Sequence, residues 1–185
     1  MACDISLGRK EVCKDSIGGL RAVYFTNYDD VDANGYTYDV TDTDMIATIT
    51  GAATINAYKY ELKGASTFDT NIVSSRENGT TYFEQTVNLT FKKLTVEMHK
   101  EVKLLSYGRP RILVEDNNGN FYLAGLKFGC DVTGGTIVSG AAMGDLSGYT
   151  LTLTGMELVP ANFVDCASDS ATDLLAVGLT LVEGV

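Results

Sequence analysis

Residues 80–128 read TTYFEQTVNLTFKKLTVEMHKEVKLLSYGRPRILVEDNNGNFYLAGLKF, and this stretch decides the fold. Its two ends are rich in β-branched and aromatic residues, which is typical of strands. Its middle is the one part of the chain with a clear helical repeat, in which apolar residues recur every three or four positions. Gly108 and Pro110 follow the repeat and are typical of the end of a helix. The apolar stripe of the predicted helix consists of Phe91, Leu94, Met98, Val102 and Leu105.

A single amphipathic helix has to bury its stripe against another part of the fold. Nearly all the other apolar segments of the chain have the composition or the alternation of strands. We therefore predict a mainly β fold: an antiparallel β-sandwich or barrel with one amphipathic α-helix packed on it.

Tight turns divide the rest of the chain into strands. Asn78-Gly79 and Asp116 to Gly119 are typical of β-hairpin turns. Gly155 marks a predicted β-bulge, because the apolar side chains change phase after it. The predicted strands are 20–26, 45–63, 67–76, 80–89, 111–115, 120–128 and 148–159. A short strand between loops is also predicted within residues 129–148, which are rich in Gly, Ala and Ser.

The length of 185 residues fits a single β-rich domain, 1–185. Residues 1–19 and 166–185 are predicted to be arms, and the apolar end of the second arm is either a closing strand or a segment donated to a neighbouring copy. Residues 27–44 are predicted to form a projecting acidic loop or hairpin that turns at Asn34-Gly35.

The net charge of −10 is unevenly distributed. Residues 128–185 contain seven acids and no Lys or Arg, whereas residues 90–111 contain six basic residues and two acids. Either these charges form a solvated surface, or they form complementary faces between copies of the chain. On the second interpretation the candidate subunit-interface residues are Asp29, Asp30, Asp32, Asp39, Asp42 and Asp44, together with Lys92, Lys93, Lys100 and Lys103.

The sequence offers little for catalysis or for metal binding. The four cysteines have no paired C-x-x-C spacing, so Cys3, Cys13, Cys130 and Cys166 are predicted to be structural. His99 is the only histidine and is predicted to lie exposed on the helix. We therefore predict no catalytic residues, no cofactor and no metal, and a protein that is not an enzyme. A hydrolase that uses two carboxylates is a further alternative, although nothing in the sequence singles out a pair.

Two more classes of partner and location are disfavoured by the sequence. No apolar run has the length of a membrane span, and the first ten residues have no apolar core typical of a signal peptide, which predicts a protein made and kept in a cytosol. No concentrated basic groove with aromatic platforms is present, so tight nucleic-acid binding is not expected.

The order of five features along the chain resembles that of the tail tube proteins of tailed bacteriophages. These features are the strand at Tyr58 to Leu62, the Asn78 to Phe83 hairpin, the single helix, the Arg111 to Phe128 hairpin and the late strand Tyr149 to Glu157. The resemblance covers roughly residues 20–165.

This resemblance implies a virion structural protein that is made in the host cytoplasm. It implies a β-sandwich or barrel flanked by one helix, and self-assembly into hexameric rings that stack into a tube. DNA would pass through that tube without specific binding, other virion proteins would be partners, and no membrane is involved. The alternatives are another virion component (a head–tail connector ring, a tail terminator or a capsid decoration protein) and a soluble β-barrel module that binds a small ligand or glycan.

Reversing the charge at Lys92, Lys93, Lys100 and Lys103 is expected to weaken assembly and to leave the subunit folded, because these lysines are predicted to face acidic segments of a neighbouring copy. Sedimentation velocity measures the assembly, and far-ultraviolet circular dichroism measures the fold. Unchanged assembly would mean that the helix serves only as a brace for the β fold.

Overall fold

The structure, a computed structural model, describes residues 7–10 and 13–184. This part of the chain is mainly β, with twelve strands and two α-helices. The strands are β1 (Leu20–Thr26), β2 (Val31–Tyr38), β3 (Met45–Gly51), β4 (Asn56–Glu61), β5 (Thr67–Ser75), β6 (Thr80–Lys92), β7 (Arg111–Asp116), β8 (Phe121–Ala124), β9 (Asp131–Val138), β10 (Gly148–Glu157), β11 (Asn162–Val164) and β12 (Thr180–Val182). The helices are α1 (Val96–Tyr107) and α2 (Ala171–Ala176).

The strands form two sheets. Sheet A has eight strands in the order β12-β4-β1-β7-β8-β11-β3-β2, and sheet B has four in the order β5-β6-β10-β9. Two short pairs in sheet A, β11 with β3 and β12 with β4, are parallel, and the other pairs are antiparallel. The predicted mainly β sandwich with a helix packed on it is confirmed.

The central strands of sheet A are buried on both faces, which divides the core into two layers. Val23 and Phe25 of β1 face sheet B and α1. Ala22 and Tyr24 point the opposite way, toward a layer completed by α2 and the residues after it. Successive side chains of a strand point to opposite faces, so a strand buried on both faces is continuously apolar, as β1 is.

Helix α1 begins later than the sequence predicted. Phe91 lies on β6 and is buried there, and the helix begins after Thr95, whose side chain accepts a hydrogen bond from the Met98 amide at 3.1 Å. Leu94 is exposed and outside the helix. The remaining stripe of Met98, Val102 and Leu105 packs into the layer between the sheets as predicted. Up to Lys92 the chain therefore forms strand β6, with side chains alternating between its two faces, although the apolar residues there also fit a helical spacing.

Residues 27–44, predicted as a projecting acidic loop or hairpin, contain a strand that forms a hairpin with β3, but the predicted turn at Asn34-Gly35 is wrong. A short 3-10 turn at Tyr28–Asp30 leads into β2, which pairs with β3 along the edge of sheet A. Asn34-Gly35 lies inside β2, where a Cβ at Gly35 would lie 2.0 Å from the Thr50 carbonyl oxygen. The glycine therefore serves a close backbone approach, and the turn lies between β2 and β3.

The predicted long strand 45–63 is two strands. A bend at residues 52–54 separates β3 from β4, and the two are not neighbours in sheet A. The predicted bulge at Gly155 is also wrong, since β10 pairs with β6 without a register shift. A Cβ at Gly155 would lie 2.9 Å from the Cys130 sulfur, so close packing accounts for the glycine.

The C-terminal segment is part of the core, and its apolar end contains the closing strand that was one of the two predicted alternatives, rather than a donated arm. Leu174, Val177 and Leu179 are buried in the layer behind sheet A, and β12 adds a strand beside β4. The sequence missed α2 because it has only six residues. At the other end, residues 7–10 and 13–19 have no regular secondary structure, whereas the other residues of the predicted arm 1–19, with Cys3, lie outside the described residues.

Candidate functional site

The outer face of sheet B is a wall of hydroxyl and amide side chains. The unbroken register of β6 and β10 places Thr150 opposite Thr90, Thr152 opposite Asn88 and Thr154 opposite Thr86. Neighbouring side chains on this face hydrogen bond to each other. The pairs are Thr152 Oγ1 to Asn88 Oδ1 at 2.9 Å, Asn88 Nδ2 to Thr67 Oγ1 at 3.2 Å, Thr136 with Thr150 at 2.7 Å and Thr133 with Thr154 at 3.1 Å.

This wall carries almost no positive charge. Lys92, the last residue of β6, is the one Lys or Arg in the four strands of sheet B. Asp69, Glu84 and Asp131 add negative charge to the same strands. The wall is therefore neutral to acidic and rich in hydroxyl groups, and it does not attract a polyanion.

Both edges of sheet B are open. Within the described residues β5 pairs with β6 alone, and β9 pairs with β10 alone. Neither strand contains Lys, Arg or Pro, although these residues commonly protect an edge strand from pairing with another chain. Instead each edge exposes an apolar side chain, Ile72 on β5 and Ile137 on β9. The absence of Lys, Arg and Pro from these two segments can be seen in the sequence, but the position of the two strands at the edges of the sheet cannot.

The six predicted acidic interface residues lie at one edge of sheet A. Asp29 and Asp30 are in the 3-10 turn and Asp32 is on β2, whereas Asp39, Asp42 and Asp44 are in or beside the turn between β2 and β3. The Asp39 carboxylate accepts backbone hydrogen bonds from Thr41 and Asp42 at 2.7 and 3.0 Å, which lower its pKa. Asp39 therefore stabilises its own turn.

The four predicted lysines lie on and beside α1, at a different part of the molecule. Lys100 and Lys103 are exposed on α1, and Lys92 and Lys93 are exposed just before it. In one chain the helix packs near Tyr60 of β4, whereas β2 is the opposite edge strand of sheet A. The ion pairs of the described residues involve other side chains, so the structure does not bring the two charged sets together within one copy.

Three buried polar side chains that sequence reasoning missed hold the loop after β8. Gln85 accepts a hydrogen bond from the Gly125 amide at 2.9 Å, and Glu157 Oε1 accepts from the amides of Lys127 and Phe128 at 2.9 and 2.7 Å. Arg111 donates to the Leu126 carbonyl at 2.9 Å. Burial raises the pKa of Glu157, and the two amides oppose that rise. On β6 the Gln85 side chain lies on the same face as the apolar residues that alternate along the strand, and this pattern in the sequence could have predicted its burial.

A second polar cluster lies beside the start of β1. Glu115 is buried and accepts a hydrogen bond from the Tyr24 hydroxyl at 2.9 Å, while the Arg21 guanidinium lies 3.1 Å from its other oxygen. Lys59 Nζ lies 2.9 Å from Asp169, which ties the C-terminal segment to β4. Arg21, Lys59 and Asp169 also line a cavity of about 330 Å³. This volume is at the lower limit for small-molecule sites, and its charged lining differs from their apolar lining.

We expect Glu115→Gln to flatten the dependence of stability on pH. Burial raises the pKa of Glu115 against the opposing effects of Tyr24 and Arg21, so the folded protein binds this proton more tightly than the unfolded chain. Protonated Glu115 therefore stabilises the folded protein at low pH, and this contribution to the free energy of unfolding is lost as pH rises from the ordinary glutamate pKa of about 4.3 through the raised pKa of Glu115. Guanidinium unfolding between pH 4 and pH 7 measures the change.

The control for this experiment is Glu61→Gln, which removes an exposed carboxylate on β4, a strand that β1 separates from β7 in sheet A. It should leave the pH dependence of the wild-type chain unchanged. Equal slopes for wild type and Glu115→Gln would contradict the assignment.

The remaining candidates for chemistry are few in the described part of the chain. His99 is exposed on α1 as predicted, with its ring centroid 6.3 Å from that of Tyr149. Cys130 and Cys166 are buried, whereas Cys13 is exposed. Among residues 7–10 and 13–184, no three His, Cys, Asp or Glu side chains are grouped closely enough to hold a metal ion.

None of the helices in residues 7–10 and 13–184 has the length and apolar content needed to cross a membrane. Neither a scan against protein-family models nor a search of the curated proteins finds a match to this sequence.

Proposed function

We propose that the protein is a non-enzymatic structural subunit of a phage virion, and that its copies assemble into stacked rings that form a tail tube. The observation that carries this proposal is the pair of open edges on one four-stranded sheet, neither of which contains Lys, Arg or Pro. An edge of nine residues, β5, and an edge of eight residues, β9, each offer unpaired backbone groups to another strand.

Pairing between these two edges favours a ring. β5 of one copy would pair with β9 of the next, so the contact joins two different surfaces and leaves a free edge at each end. A rotation about an axis near the strand direction keeps each strand pointing the same way. The β9–β5 contact would then be antiparallel, like the other neighbours in sheet B, and the sheets of successive copies would close into one barrel.

The dimensions and the lining of such a barrel suit the passage of DNA. Six copies of the four-stranded sheet give about 24 strands, whose circumference at about 4.8 Å per strand is about 115 Å. With the layer between the sheets facing outward, the hydroxyl wall faces the lumen. A lumen with a single lysine per copy, Lys92 at the end of β6, lets a polyanion slide because it provides few phosphate contacts.

The resemblance to tail tube proteins supports stacking of the rings. A connector ring or a tail terminator would use the same edges and would stop after one ring. A soluble ligand-binding module would use the cavity at Lys59 and would leave the edges of sheet B unpaired.

Negative-stain electron microscopy and sedimentation of the purified chain separate these functions. The tail tube proposal expects rods of stacked rings at high protein concentration. Single rings that do not grow would favour the connector or terminator, and a monomer at all concentrations would overturn the assembly proposal.

A further inference from the structure

Helix α1 exposes a second apolar stripe on the side away from the core. This outer stripe consists of Val96, Leu104 and Tyr107, whose exposed fractions are 83%, 55% and 84%. Lys100 and Lys103 lie beside the same residues, because positions three and four apart share one helix face. An exposed apolar stripe with charged residues beside it is typical of an interaction site.

Sheet A carries two neighbouring aromatic side chains beside the β5 edge of sheet B, and they form a surface that we call the aromatic ledge. The ledge consists of Tyr122 and Phe163, whose ring centroids are 4.7 Å apart, with Met45 as the register partner of Phe163. Tyr122 contacts Phe68 of β5, with centroids 6.1 Å apart. Phe163 lies beyond that contact and is 48% exposed.

The outer stripe and the ledge lie beside opposite edges of sheet B, in the same layer of the fold. Helix α1 packs against β9, and its capping residue Thr95 accepts a hydrogen bond at its carbonyl from Tyr149, which faces the core. The ledge lies beside β5 through the contact between Phe68 and Tyr122. Pairing of β9 in one copy with β5 in the next therefore brings α1 of the first copy to the ledge of the second.

The charges around the two surfaces are complementary. Asp165 shares the exposed face of Phe163, since exposure alternates from residue 162 to residue 166. Asp44 precedes Met45, and its carbonyl accepts a hydrogen bond from Asn162 at 3.0 Å. The ledge thus has acids around it, whereas the outer stripe of α1 has lysines beside it, which favours their contact and fixes its orientation.

We propose that the outer stripe of α1 docks on the aromatic ledge of the neighbouring copy within a ring. This inference rests on the proposed assembly through β5 and β9, and it names the partner surface of each helix. It also gives the lysines of α1 a partner within the ring, namely Asp44 and Asp165 of the next copy.

Cysteine cross-linking tests the contact in the full chain. Leu104→Cys and Phe163→Cys are combined in one chain in which Cys3 and Cys13 are replaced by Ser, and the protein is oxidised at a concentration at which wild type assembles. A non-reducing gel is expected to show a ladder of covalent oligomers, because each chain can link to two neighbours. Each single variant is expected to show no ladder.

The matched control is the pair Leu175→Cys and Phe163→Cys. Leu175 is exposed to a similar degree, 62%, but lies on α2 behind sheet A, so no ladder is expected. If wild type assembles and the Leu104 pair gives no ladder, the helix contact is overturned and the assembly stands. If wild type remains a monomer, both proposals fail.

Discussion

Replacing Ile72 with Lys is expected to leave the subunit folded and to abolish its assembly. Ile72 lies on the open strand β5 and is 71% exposed, so a lysine there does not disturb the core of the isolated subunit. In a ring the same position is covered by β9 of the neighbour, where the ammonium group would lose its water. A lysine that points inward from an edge strand is a known device against edge-to-edge pairing.

Sedimentation velocity at a concentration that gives wild-type rods should show a monomer for Ile72→Lys, and the concentration needed for assembly should rise at least about a hundredfold. The melting temperature of the monomer should stay within about 2 °C, as is usual for surface changes. Leu175→Lys on α2 is the matched control and should assemble normally. Rods of Ile72→Lys at the wild-type concentration would contradict the edge pairing.

A mixing experiment tests whether the contact joins two different edges. Ile137→Lys blocks β9 and leaves β5 intact, whereas Ile72→Lys blocks β5 and leaves β9 intact. A mixture of the two variants is therefore expected to form a dimer and nothing larger, because each has one usable edge. A contact between two copies of the same edge would instead give dimers from each variant alone.

Strands β5, β6 and β10 of sheet B could be predicted from the sequence with their bounds, because their patterns are local. Tyr149, Leu151 and Leu153 alternate with threonines along β10, and Asn78-Gly79 fixes the turn between β5 and β6, so the observed bounds nearly match the predicted ones. Period-two alternation and turn residues depend only on residues close together in the chain. They can therefore be recognised in the sequence before the fold is known.

The sequence predictions that were wrong concern features that depend on contacts between residues far apart in the chain. Gly35 and Gly155 were interpreted as a turn and a bulge, but each allows a distant backbone or sulfur atom to approach. Phe91 fits a helical and a strand repeat equally, and pairing with β10 decides for the strand. The open edges of sheet B follow from the order of all four strands, so the candidate site could not be located from sequence, although its residue types could be noted.

Arg111 illustrates the same limit, and it is the site of the largest expected loss of stability. Its side chain is 2% exposed and donates hydrogen bonds to the carbonyls of Leu126, Tyr28 and Val31 at 2.9, 2.7 and 3.0 Å. These bonds join the start of β7 to the loop after β8 and to the turn before β2. Burial lowers the pKa of the Arg111 guanidinium, but arginine stays protonated in proteins.

Arg111→Met is expected to lower the free energy of unfolding by about 3–5 kcal/mol, a large part of the 5–15 kcal/mol typical of a domain. Methionine fills much of the space but donates no hydrogen bond, so the carbonyls of Leu126, Tyr28 and Val31 lose the donor that Arg111 supplies. Chemical denaturation measures the loss.

Arg109→Met is the control. The guanidinium carbons of Arg109 and Arg111 both lie 4.4 Å from the Tyr28 ring centroid, but Arg109 is exposed. Its loss should stay below about 1 kcal/mol, so equal losses at both positions would assign the stability to stacking on Tyr28 rather than to the buried hydrogen bonds.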